Sequence, residues 1–431
     1  MSLRQNAFAL LAVTALLAVI GDWALPASMP SLWRLLLALF LAGLAYERWV
    51  TGRAGLGLAV RAPPRWPLGR HVHALVEFSL QGTRPCTLEW APALPPDVEA
   101  DSRVRQVRVE AGTAPVALEA VARRLGPRRW PAQRCRIAGP LGLAWWPRSL
   151  AAACELSVVP DTAGHGRPAP GLAAGGAGAS ARVGAGAEVA QLRDYRPGDS
   201  TRAIDWKASA RRGQLVSRDY LEDQHLDIVV ALDVGRGSGV VCDDLDRLGH
   251  YVNTAARFAD YALANDDQVG LVVYADRPLR ALPPSRGPAA AGRIRGILGA
   301  LEVQPAESNP LNAAAHIRSL VRRRCLVILL TDIEAEGHGG ALAGAVRLLT
   351  PQHLPFVIGL KSHALEHYAE RSASDWLAPY RLLAADEQRL HERRGIAALA
   401  RGGVRALLVR PRELERTLFE AYATFRRQRL V

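Results

Sequence analysis

Between Arg4 and Asp22 the chain carries no charge, and Ala7–Ile20 forms one apolar run. After a turn containing Pro26 and Pro30, Leu32–Tyr46 is apolar again except for Arg34. Each run is slightly short of the roughly 20 residues that cross a bilayer as a helix. Trp23, Trp33 and Trp49 extend them as interfacial flanks. The loop Gly21–Ser31 contains no Lys or Arg, whereas Arg48, Arg53, Arg61, Arg65 and Arg70 follow the second run. By the positive-inside rule both ends of a two-helix hairpin then lie in the cytoplasm. The expectation is residues 1–50 as two transmembrane helices in the bacterial inner membrane, with the remaining domains cytoplasmic. A cleaved signal peptide ending near Ala27 is the competing reading, and it leaves the second apolar run unexplained.

The formal charge of +13 over 431 residues usually points to nucleic acid or an anionic membrane surface. Here the only lysines are Lys207 and Lys361, and the bases are otherwise arginine. With so much Ala, Gly and Pro this reads partly as the bias of a GC-rich genome. No zinc-finger spacing or aromatic-basic platform adds to the nucleic-acid reading, so no nucleic-acid partner is expected. Five cysteines, an odd number without a CxxC pair, argue against a disulfide framework and fit a reducing compartment.

Residues 51–160 alternate in short segments punctuated by Pro and Gly, which predicts a small β-sandwich-like or barrel domain. His71 and His73 share a strand face, but no third metal ligand is evident. Residues 161–188 are rich in Gly and Ala without periodicity and read as a linker. From Leu226 to the end apolar strands alternate with amphipathic helices, which predicts an α/β fold with a doubly wound, largely parallel sheet over 226–431.

Between linker and sheet lies a block, residues 189–225, dense in charge of both signs. Arg196-Pro197-Gly198-Asp199 predicts a type II turn. Asp199 or Ser200 is placed to cap a helix over about Thr201–Arg212, and Gly213 fits just past its end. Gln214–Tyr220 reads as a strand. Trp206 and Ile204 are expected as apolar anchors packed into the α/β domain. The charges either clip two domains together as surface ion pairs or form a docking site.

The run Leu192-Arg193-Asp194-Tyr195-Arg196-Pro197-Gly198-Asp199, continued by Arg202, Ile204-Asp205-Trp206-Lys207 and Ala210-Arg211 and then by the strand LDIVVALD, resembles the signature of the domain of unknown function 58 family. The resemblance implies a membrane protein associated with MoxR-type AAA+ ATPases, with a Rossmann-like von Willebrand factor A-type domain. It implies no enzyme. It points to a non-enzymatic scaffold acting with such an ATPase in chaperone-like assembly or maturation of other proteins. The partner-binding candidates are Arg193, Tyr195, Arg196, Gly198, Asp199, Arg202, Asp205, Trp206, Lys207 and Arg211. More weakly, Ile137–Leu143 is similar to the family's Asp-Pro-Leu-Gly-Leu turn, with Gly139 in the aspartate's place.

Von Willebrand A-type domains place a divalent ion at the carboxyl edge of the sheet, held by Asp-x-Ser-x-Ser, a threonine and a later aspartate. The matching positions here are Asp233, Asn309 and Asp332. Gly235 and Gly237 stand at both hydroxyl positions, and Arg236 lies between them. An ion such as Mg²⁺ wants hard oxygens in near-octahedral geometry, so the expectation is no cofactor. A divalent-metal-dependent ligand-binding protein is the alternative function. His363-Ala364-Leu365-Glu366-His367 matches the short H-x-x-E-H motif and supports a third, hydrolytic reading. No Walker motif, G-x-S-x-G elbow or reactive cysteine pair occurs.

Overall fold

The computed structural model describes residues 2–24, 32–81, 85–110, 112–163, 183–184, 188–197, 199–221, 225–333, 340–361 and 376–428. Gly198, the H-x-x-E-H stretch His363–His367 and most of the linker lie outside the described residues. The chain divides into two compact units, Met1–Pro160 and Asp161–Val431.

In the first unit two helices, Gln5–Ala24 and Leu32–Arg53, precede the strands. Trp33–Arg53 is long and apolar enough to cross a membrane, and Gln5–Val19 is apolar but shorter. A five-stranded sheet runs in the order Ser2–Leu3, Ala144–Leu150, Gln133–Ala138, Cys86–Trp90 and Arg105–Val109. A four-stranded sheet has the order Gly55–Arg61, His71–Gln81, Gly112–Ala122 and Val98–Ala100. Period-2 alternation sets the inner face: Ala74, Val76, Phe78 and Leu80 of one long strand are buried while the residues between them are more exposed. Val76 and Phe78 of the second sheet share one core cluster with Leu88, Trp90 and Val109 of the first, so the two sheets pack face to face. A third sheet pairs Glu155–Val159 with Arg65–Pro67 and Gly126–Arg129.

The second unit centres on six strands: β1 (Asp227–Asp233), β2 (Gln268–Tyr274), β3 (Pro278–Ser285), β4 (Leu326–Leu330), β5 (Leu354–Leu360) and β6 (Arg405–Val409). Their order across the sheet is β3-β2-β1-β4-β5-β6. All neighbouring pairs are parallel except β2–β3, an antiparallel edge hairpin. β4 is a continuous run of buried residues, as a strand covered on both faces requires. Val229 and Ala231 face a core with Ala313, Ile317, Leu342 and Val346. On other helices, Phe258 and Tyr261 pack against Phe419 and Tyr422, and Phe356 of β5 packs against Phe425. The strand order reverses direction between β1 and β4. In open parallel sheets such a reversal opens a crevice at the carboxyl ends.

A separate small sheet carries the charged block: Val183–Gly184 and Glu188–Asp194 flank Val216–Leu221. The helix expected over Thr201–Arg212 is broken. A short 3-10 turn, Thr201–Ala203, is followed by Ile204 bridged to Ser217, and the α-helix runs only Trp206–Arg212. The break occurs because Asp205 turns extended and caps the helix with its own carboxylate.

Candidate functional site

Two polar clusters of the second unit contain the residues singled out from the sequence. The first lies at the carboxyl ends of β1 and β4. Asp233, only 2% exposed, accepts from Gly235 N–H at 2.8 Å and Ser308 Oγ at 2.5 Å through one oxygen. Its other oxygen accepts from Thr331 Oγ1 at 2.8 Å. Burial pushes its carboxyl above the ordinary range, and nearby Asp332 adds to that, while the three hydrogen bonds oppose it. Asp332 pairs with Arg247, whose guanidinium is 2% exposed and also lies 3.4 Å from the Gly237 carbonyl. Tyr251, one helical turn on, donates to the Thr331 carbonyl at 2.9 Å and accepts from Leu360 N–H at 3.2 Å. It thereby ties the ends of β4 and β5 together.

In this arrangement the polar groups at the strand ends are bonded to one another. Both Asp233 oxygens are engaged, and a fixed positive charge already sits on Asp332. A side chain at 235 would collide with the Ser308 hydroxyl, and a Cβ at 237 would lie 3.1 Å from Asp332 Oδ2. Glycine at both positions keeps the network free of a side chain that would press on it. Asn309 is not part of it. Its side-chain oxygen caps the helix Pro310–Leu320 by accepting from Asn312 N–H at 3.2 Å, and the adjacent Ser308 reaches Asp233 instead. Arg236 turns outward to Glu307. Among the described residues no group of three or more His, Cys, Asp or Glu is placed to hold a metal ion.

The second cluster is the charged block, and here the acids build the scaffold. Asp199 forms a bidentate pair with Arg193, at 2.7 and 2.9 Å, and accepts from Arg196 N–H at 2.9 Å. The Arg193 guanidinium foremost, then the Arg196 N–H, hold its carboxyl down at about 2. An i to i+3 bond runs from Asp199 N–H to the Arg196 carbonyl at 3.0 Å, where a turn was expected, and the Tyr195 hydroxyl donates to the Asp199 carbonyl at 3.3 Å. Asp205 accepts from Lys207 and Ala208 N–H at 3.0 Å each and from Arg218 Nε at 3.0 Å. Arg218 first, then the Ala208 N–H, hold it at about 2. Gly213 ends the helix at φ 68°, a left-handed conformation natural to glycine.

Trp206 does not pack into the α/β core as expected: it occupies the first helical position and is 67% exposed. Ile204 is the buried anchor at 8% exposure. Arg196, Lys207 and Arg211 are exposed, and the side chain of Arg202 lies outside the described residues. The ten candidates thus separate. Arg193, Tyr195, Asp199 and Asp205 bind their own block, while Arg196, Trp206, Lys207 and Arg211 face solvent. Sequence reasoning missed Arg247, Ser308, Thr331 and Tyr251. Arg247 and Tyr251 lie in an amphipathic helix pattern, where a charged residue reads as solvent-facing.

The family comparison bears on the second unit. Residues 191–358 match the family described as "Protein of unknown function DUF58". The match opens in the charged block and ends in β5, spanning less than half of the chain. No curated protein matches. Among solved structures, the conserved hypothetical protein BatB from Bacteroides thetaiotaomicron is 18% identical, with 31% of this chain and 66% of that one covered at a TM-score of 0.26. The chain thus spans just under two thirds of that protein's length. The CARDB domain of the PF1109 protein from Pyrococcus furiosus is 10% identical, covering 24% and 93% at 0.17. A protein of unknown function from Porphyromonas gingivalis W83 is 16% identical, covering 25% and 48% at 0.18. Superpositions this loose carry no residue correspondence.

Proposed function

We propose that this is a non-enzymatic interaction protein, anchored in the bacterial inner membrane by its N-terminal helices with its β-rich and α/β parts in the cytoplasm, that docks a MoxR-type AAA+ ATPase through the charged block. The observation that carries the docking surface is Trp206. An indole 67% exposed sits on a helix whose start is fixed by Asp205, next to exposed Lys207 and, one turn on, Arg211. An exposed tryptophan on a short helix that also carries exposed bases has the residue types enriched at interface anchors. The partner class comes from the family resemblance, which the matched residues 191–358 support. The β3-β2-β1-β4-β5-β6 order with an antiparallel third strand supports a Rossmann-like von Willebrand A-type reading of the α/β unit. Arg247 on Asp332 favours a form of that domain working without a divalent ion. The protein would serve as a scaffold for assembly or maturation of other proteins.

The test is capture of a co-expressed MoxR-type ATPase by the full chain. Trp206→Ala and Lys207→Glu should leave the melting temperature nearly unchanged and weaken capture at least tenfold, the ratio that about 1.4 kcal/mol of lost contact gives. Reversal at Arg103, whose side chain is 90% exposed on the other unit, is the control. Unchanged capture in both variants rejects the docking surface. Melting in both makes the block an internal clamp.

A further inference from the structure

Glu47 lies near the end of the helix whose exposed side chains include Leu35, Leu39 and Leu41, yet it is itself 0% exposed. Its carboxylate accepts from Leu141 N–H at 3.0 Å, Leu143 N–H at 2.9 Å and Ala144 N–H at 3.0 Å, with the Trp146 indole N–H at 3.4 Å. The turn 139–144 thus wraps the acid. Gly139 makes room for it, since a Cβ there would collide with the carboxylate. A charge satisfied by protein donors in this way can stand at the edge of an apolar span. The same turn sets its own apolar residues beside the helix one turn earlier. A Cβ at Gly43 would lie 3.0 Å from Leu143 Cδ1 and 3.4 Å from Leu141 Cδ1, and Leu141 is 52% exposed.

Arginines stacked on tryptophans surround this joint. Arg4 lies over Trp145 at 4.8 Å, Arg48 over Trp146 at 5.9 Å and Arg53 over Trp49 at 4.0 Å. Trp49 is 56% exposed. Amphipathic rings and bases at the end of an apolar helix match the layered chemistry of a bilayer interface. Trp146 is buried beneath Arg48, its N–H on Glu47; exposed rings suit headgroup depth and guanidinium edges suit phosphates.

We propose that this collar is a docking surface for anionic phospholipid. The tip of the turn, with Leu141, enters the bilayer interface, and Arg4, Arg48 and Arg53 take lipid phosphates, so the β unit rides on the membrane rather than hanging from a tether. The proposal rests on the membrane reading of the N-terminal helices, and continuity of the collar with their exposed apolar surface selects lipid as the occupant.

The full chain labelled with 5-fluorotryptophan is reconstituted into nanodiscs of phosphatidylcholine with or without phosphatidylglycerol. Trp49→Phe, Trp145→Phe and Trp66→Phe assign the ¹⁹F lines. A gadolinium-chelate headgroup lipid should broaden the Trp49 and Trp145 lines and spare that of Trp66, which is fully buried in the same unit. Flotation of the full chain should favour phosphatidylglycerol vesicles, and each of Arg4→Gln, Arg48→Gln and Arg53→Gln should cut that preference about fivefold, as about 1 kcal/mol per base gives. A chain that floats while its Trp145 line ignores the lipid probe, or that shows no lipid preference, overturns the collar and leaves the membrane reading standing. A Trp145 line that responds to protein concentration instead assigns the surface to a second copy and also overturns it. Failure to float with any vesicle overturns both.

Discussion

The strand-end cluster and the charged block are both built of acids and arginines, yet they use them oppositely. At the ends of β1 and β4 the charges are buried, and each is spent inside the fold: Arg247 on Asp332, Ser308 and Thr331 on Asp233. In the block Asp199 and Asp205 are bonded to their own segment, but the bases on the helix are exposed beside Trp206. Burial separates stability from recognition. A buried pair is costly to break because it leaves a charge in low dielectric, whereas an exposed charge contributes little to folding and remains available to steer a partner.

The contrast breaks most easily at Arg247. Arg247→Ala leaves Asp332 without its guanidinium and should destabilise the α/β unit by about 3–5 kcal/mol. Chemical denaturation of the full chain measures this, and Asp332→Asn in the same background should restore part of the loss. A cost below about 1 kcal/mol would place this pair among surface bridges.

Ser308→Ala comes next. It removes one hydrogen bond from a buried carboxylate and should cost about 1.5–3 kcal/mol. Asn309→Ala removes only a helix cap and should cost about 1 kcal/mol. Reversal of that order in melting experiments would return Asn309 to the centre of the site.

A ligand that binds only the native state raises its melting temperature by mass action. Millimolar Mg²⁺ should leave the wild-type melting temperature unchanged, because Asp233 already accepts three hydrogen bonds and Asp332 is paired with Arg247. A micromolar dissociation constant by calorimetry, lost in Asp233→Ala, would reverse this reading and favour metal-dependent ligand binding.

Acid should act on the block in a defined window. Asp199 and Asp205 are held at about 2, below the ordinary value of about 3.9. A depressed carboxylate contributes stability above its unfolded value and loses it as pH falls through the folded one. The amide protons of Lys207 and Ala208 should therefore lose protection from hydrogen exchange between about pH 4 and 2. In Asp205→Ala they should be unprotected throughout, with no acid transition of their own.

The smallest stability effect belongs to Trp206→Ala. An indole mostly in water surrenders little burial, so the change should stay within the ±0.5 kcal/mol typical of surface substitutions. A loss of about 3–5 kcal/mol, the cost of deleting a buried aromatic ring, would put the ring back in a core and erase the contrast between the two clusters.

Much of the α/β unit was legible in the sequence because its signals are local. The strand read from LDIVVALD is seen as Asp227–Asp233, and the alternation of strands and helices after it follows from periodicity within single segments. Gly213 was legible too, since a left-handed helix end selects glycine. The block's helix was misplaced because Asp199, Ser200 and Asp205 are all competent caps, and only the pairing of Ile204 with Ser217 decides among them.

What the sequence determined by itself was the succession of apolar helices, alternating strands and α/β repeats, because hydrophobic period acts over a few residues. What only the tertiary structure decided was the partner of each charge. Glu47 finds its donors at 141–146, Asp233 finds Ser308 and Thr331, and Arg247 finds Asp332. Trp206, apolar by type, ends in water. A side chain's charge is written in the sequence, but its burial and its neighbours are fixed by segments distant along the chain.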